Sequence, residues 1–143
     1  MNRPATPRQQ SGVMLLEALI GILIFSIGIL ALIGMQATAM RATIDAKYRS
    51  EASFLTNEIL GKMWIADKTN LAAFATSPGS PATCPASPAC DWIDRVEALL
   101  PNSVGANAPE IAISANEVTV TVRWQAPGDE QPSSHVAVTQ ING

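Results

Sequence analysis

Histidine is nearly absent from this chain, with one residue in 143, and cysteine is confined to two positions. The lone imidazole, His135, denies the protein the histidine clusters that hold metals and carry much acid–base chemistry. No phosphate-binding glycine loop or compact metal-ligand set takes their place. His135 sits near turn sequence and reads as the start of a strand. Asp91 and Asp94 lie three apart on a predicted helix, where a cap and a solvated carboxylate account for them. The chain is read as a non-enzyme with no cofactor. Basic charge is also scarce: beyond Met35, seven Lys and Arg face eleven Asp and Glu. That balance argues against a phosphate-binding surface, because nucleic-acid affinity rests largely on neutralising backbone phosphates. Nucleic acid is therefore not expected among the partners.

Cys84 and Cys90 lack the C-x-x-C spacing of a redox motif and are too few for a zinc site. They enclose Pro85-Ala86-Ser87-Pro88-Ala89, a run suited to a tight loop. A disulfide and a pair of free thiols are both open; a disulfide implies an oxidising compartment such as the periplasm. Closing so short a loop contributes at most roughly 2.5 kcal/mol in the chain-entropy view.

What the chain has in plenty is apolar sequence, concentrated between Val13 and Met35 as VMLLEALIGILIFSIGILALIGM. At 1.5 Å per residue this makes roughly 35 Å of helix, enough for a hydrocarbon core of about 30 Å. Met1 to Gly12 is polar, with Arg3 and Arg8 and no acid, which sets that end on the cytoplasmic side. A secretory signal would place small residues at a cut after its apolar stretch. Ala37 and Ala39 offer that alternative, but the sequence there runs on without a breaker.

One carboxylate, Glu17, interrupts the apolar run. Such a residue costs about 2.5–3.5 kcal/mol at the centre of a membrane helix, and less near an interface, so it marks either the edge of the span or a site awaiting a cation. Cleavage after Gly12 would create that cation as the Val13 α-amine, four residues from Glu17 and one helical turn away. In a staggered bundle, one chain's Glu17 would instead neutralise the next chain's amine. Gly21 and Gly28 are seven apart and share a face, and Ala18, Ala31 and Gly34 add places where helices approach closely.

Ser11-Gly12-Val13-Met14-Leu15-Leu16-Glu17-Ala18-Leu19 resembles the class III signal of type IV prepilins, in which a glycine precedes the cut and a glutamate is fifth in the mature chain. Val13 stands where phenylalanine is commoner and Met14 where threonine or serine is usual. The resemblance implies cleavage between Gly12 and Val13 by prepilin peptidase, N-methylation of Val13, and docking of Glu17 to a neighbouring subunit's amine. Within that family, Ile27-Gly28-Ile29-Leu30-Ala31-Leu32-Ile33-Gly34-Met35-Gln36 is similar to the PilV-like minor pilins. So are Tyr48-Arg49-Ser50-Glu51-Ala52, Glu58-Ile59-Leu60-Gly61-Lys62-Met63, the cysteine-bounded loop before Trp92 and a late strand ending at Trp124. The resemblance implies an inner-membrane protein with a periplasmic domain, assembled into the pilus with other minor pilins and the major pilin. Initiation of pilus assembly is the implied role, with twitching motility or adhesion downstream. A minor pseudopilin of a type II secretion system shares the same leader and anchor and is the alternative; an ordinary membrane-anchored periplasmic protein is the third reading.

Residues 1–12 are thus expected as leader, 13–35 as the membrane and filament-core helix, and 36–143 as the periplasmic domain. From Gln36 to about Lys68 there is no proline, and Ile44, Tyr48, Ala52, Leu55, Ile59 and Met63 recur at spacings of three and four. The spacing predicts that the helix continues over 36–68 as an amphipathic half, a single element of up to about 85 Å. Thr69 to Cys90 reads as a loop, and Asp91 to Leu100 as a short helix with Asp91 as cap and Pro101 as stop. Glu110–Ser114, Glu117–Trp124 and His135–Ile141 read as strands, the first two joined by a hairpin at Ala115-Asn116. The expected fold is α+β and pilin-like, a long N-terminal helix packed on a small antiparallel sheet.

Overall fold

The computed structural model describes residues 11–78 and 86–142. Met1 to Gln10 of the expected leader and Cys84 lie outside the described residues. The chain divides into two compact units, Met1–Ala42 and Thr43–Gly143, and helix α1, Ser11–Ile65, contributes residues to both. No proline occurs within α1, and Leu, Ala, Met and Ile fill most of its first half, which favours an uninterrupted helix. In the first unit α1 is helical through Ala42, and every large apolar side chain from Val13 to Met35 is exposed.

In the second unit α1 turns amphipathic. Ala52, Leu55, Ile59 and Met63 are fully buried, one face at spacings of three and four, and Tyr48 packs against their cluster. Ile44, expected on the same stripe, is 43% exposed, so the buried face begins one turn later. The helix also stops before Lys68. Its last backbone bond runs from Ala66 N–H to Lys62 C=O at 3.1 Å, and a separate 3₁₀ segment, Lys68–Phe74, follows. Asp67 is the reason for the break. In extended conformation, its carboxylate accepts from Thr69 N–H at 2.9 Å and from the Thr69 hydroxyl at 2.8 Å, starting a new turn in place of continuing the old one. Those two donors hold its carboxyl below the usual carboxylate value. The segment, read from sequence as loop, buries Leu71 and Phe74.

Helix α2, Cys90–Leu99, begins one residue before Asp91, which therefore sits inside the first turn and not at the cap. Trp92, Val96 and Leu100 face the core, while Leu99 is exposed. The Trp92 indole N–H donates to the Leu55 carbonyl at 2.8 Å, so burial of the ring leaves no donor unsatisfied and fastens α2 to α1. The chain leaves α2 at Leu100, whose N–H bonds to Val96 C=O at 2.9 Å before Pro101.

Strands β1 (Glu110–Ser114), β2 (Glu117–Trp124) and β3 (Ser133–Gln140) form an antiparallel sheet in the order β1-β2-β3. The last strand starts two residues earlier than expected and ends one earlier. Val118, Val120, Val122 and Trp124 are buried, with Ile111 from β1 beside them. On the other face Thr119 and Arg123 are half-buried, but Thr121 is only 9% exposed. Both threonines are flanked on each side in the central strand, but Thr121 lies between Glu110 and Val136 and Thr119 between the smaller Ala112 and Val138. At the β1–β2 hairpin Ala115 adopts φ 53°, and Ile141 N–H returns to Asn116 C=O at 2.8 Å, tying the end of β3 to that turn.

Ile59 is fully buried in this cluster. Ile59→Ala is expected to cost about 2–5 kcal/mol, read from denaturant unfolding of the full chain in detergent by circular dichroism. Asp67 supplies a pH dependence. Because its folded value is lowered, its contribution is present above the ordinary value of 3.8 and is lost as pH falls through the folded one. The melting-temperature gap between wild type and Asp67→Ala should be full at neutral pH and narrow in acid.

Candidate functional site

The residues singled out from the sequence fall into two places. Gly12, Val13 and Glu17 lie at the head of α1, in the first unit. Cys90 lies in the second, where it is buried at the first turn of α2 and is not a free thiol. Its expected partner Cys84 is outside the described residues.

The head of α1 is a surface built to be covered. Each exposed leucine, isoleucine or valine forgoes about 1.5–3 kcal/mol relative to full burial, and they surround the helix without a polar face. By length and composition α1 is the one helix among the described residues that could cross a membrane. Its backbone bonds are internal, as a lipid setting requires. The polar side chains obey the same rule. The Ser26 hydroxyl donates to Ile22 C=O at 2.7 Å and that of Thr38 to Gly34 C=O at 3.1 Å, so neither needs water.

Glu17 is the exception. It is exposed and makes no ion pair among the described residues. Glu17, Gly21 and Gly28 follow at intervals of four and seven, which places the carboxylate in line with two glycines on one face. A Cβ at Gly21, Gly28 or Gly34 would meet nothing within 4 Å, so contacts inside the chain do not require these glycines. The arrangement offers an apolar helix with notches and one unneutralised carboxylate. It can bind another helix and a cation.

The second unit brings together no group of three or more His, Cys, Asp or Glu among the described residues. His135 is half-buried on β3, and Asp91 and Asp94 are exposed on α2. An ion cluster that the sequence did not announce joins the two helices here. The Glu58 carboxylate on α1 takes Lys62 Nζ at 3.3 Å and also the Arg95 guanidinium from α2. Glu58 to Lys62 is an i,i+4 pair visible in sequence, but Arg95 is 37 residues further on and no local signal joins it. The Glu58 side chain is 17% exposed, and its second oxygen, Oε2, is buried with no hydrogen-bond partner.

No family model, curated protein or solved structure matches this chain.

The Glu58–Arg95 contact should be worth more than a solvent-exposed pair, since the carboxylate is mostly buried. A double-mutant cycle with Glu58→Gln and Arg95→Ala, read by thermal unfolding, is expected to give a coupling of about 1–2 kcal/mol.

Proposed function

We propose that this protein is a minor pilin of the type IV pilus, of the PilV-like kind, made as a prepilin and cut between Gly12 and Val13. The observation that carries the reading is the position of the Gly12–Glu17 motif at the head of a helix whose large apolar side chains from Val13 to Met35 are all exposed. Before assembly the bilayer covers that surface, with the periplasmic unit outside. In the filament, other pilin helices replace the lipid. The exchange is nearly neutral for apolar side chains, because lipid tails are as apolar as leucine, so it must be driven by packing and by polar pairing.

Glu17 provides the polar part. Cleavage turns the amide of Val13 into an amine at the positive end of the helix, and N-methylation leaves it cationic. A carboxylate held within an apolar segment gains when a neighbour's amine arrives at it. The glycines at 21 and 28 admit the neighbouring backbone on the same face. A Cys84–Cys90 bridge would pin the segment leading into α2, in keeping with a periplasmic location. The periplasmic unit supplies contacts to other minor pilins and no chemistry.

Mass spectrometry of the protein from cells with prepilin peptidase should find a chain beginning at methylated Val13; a chain beginning at Met1 overturns the proposal. Replacing Gly12 by a bulky residue should block the cut. Glu17→Ala should be processed normally yet enter sheared pili at least about tenfold less well, the equivalent of one lost charge pair in an apolar setting. Normal incorporation of Glu17→Ala would remove the charge pairing.

A further inference from the structure

We infer that strand β3 pairs edge to edge with β3 of a second copy of this chain. The two edges of the sheet are treated differently. Beyond β1, Thr76 and Ile111 exchange backbone bonds in both directions, at 3.1 and 3.0 Å, and the Thr76 hydroxyl donates to Pro109 C=O. Beyond β3, no strand is paired among the described residues, although β3 is the longer of the two, with eight residues against five. An edge strand points alternate N–H and C=O groups outward, and proteins discourage their use with lysine, proline, bulges or short length. Ser133–Gln140, SSHVAVTQ, has none of these: it carries no Lys, Arg, Asp, Glu or Pro, and its register with β2 runs unbroken from Glu117↔Gln140 to Trp124↔Ser133.

The side chains favour an identical partner. An antiparallel two-fold pairing centred on Ala137 sets Val136 of one copy opposite Val138 of the other, twice over. It also sets Ala137 opposite Ala137, and His135 opposite Thr139. Val136 and Val138 are 53% and 58% exposed in the single chain, and pairing would give each an apolar cross-strand neighbour. No like charges meet, although the chain as a whole carries a net charge of −3. The dimer is closed, since the two-fold pairing takes up the β3 edge of both copies.

The test is disulfide trapping between full chains co-produced in one membrane and tagged differently. A chain with Val136→Cys should trap a chain with Val138→Cys severalfold more than either variant traps itself. It should also exceed an Ala112→Cys control on the far strand of the same face, and the parent chain with Cys84 and Cys90 sets the background. Ser134→Cys with Gln140→Cys should trap likewise, and adding Val136→Lys plus Val138→Lys should remove most of that product by setting like charges opposite one another. A retained unfolding transition shows that the lysine variant still folds. Trapping no greater than in the Ala112→Cys control, trapping indifferent to the lysines, or an adduct with a different protein each overturns the inference. None of these results depends on leader cleavage or on Glu17.

Discussion

From Val13 to Met35 the chain carries apolar side chains that none of its own described residues cover, and this uncovered surface is the constraint on which the remaining features depend. In water it would forgo the largest favourable term available to a protein. The helix is long and apolar enough to cross a membrane, and its sequence suits cover by lipid or by other helices. Backbone groups are internally bonded, Ser26 and Thr38 are satisfied within the helix, and glycines leave room for close approach. Against that background Glu17 stands out, because a carboxylate gains nothing from apolar cover. In the proposed filament, this one residue would let a helix otherwise indifferent to its apolar neighbours choose among them.

The second unit is stabilised by different means. Its core is small, so it relies on large rings and on polar groups that are satisfied where they are buried. Trp92 fills space between α1 and α2, and its indole bonds to the Leu55 carbonyl; Trp124 closes the buried face of β2. Thr56, fully buried on α1, donates to Ala52 C=O at 2.8 Å and so adds no unsatisfied hydroxyl. The Glu58 carboxylate is a less complete solution, with one oxygen paired and the other not. Around this core Thr76 bridges the β1 edge at Ile111, whereas no described strand pairs with β3, a contrast that makes the β3 edge informative.

Much of the architecture could be read from periodicity. The 3.6-residue recurrence of Ala52, Leu55, Ile59 and Met63 and the two-residue alternation of Val118 to Trp124 each come from burial on one side, and each identified its element and its core face. Strands β1 and β2 have the bounds expected of them, since a two-residue turn between alternating segments leaves little choice of register. Reading failed where a local choice was decided by a competing hydrogen bond. Asp67 drew its donors from Thr69, ending the long helix just short of Lys68 and beginning a 3₁₀ segment where a loop was expected, and Asp91 lies two residues past the cap position at Ala89.

Local patterns were enough to identify the long helix, α2, the three strands, the apolar segment and the lone carboxylate within it, because each depends on neighbours a few residues away. Long-range packing is what brings Trp92 to Leu55 and Arg95 to Glu58 across 37 residues, leaves Ile44 outside the core, and sets Thr121 between Glu110 and Val136. These contacts join residues remote in the chain. No periodicity records them, since a side chain's spacing fixes the face it occupies but not the element that comes to lie against it.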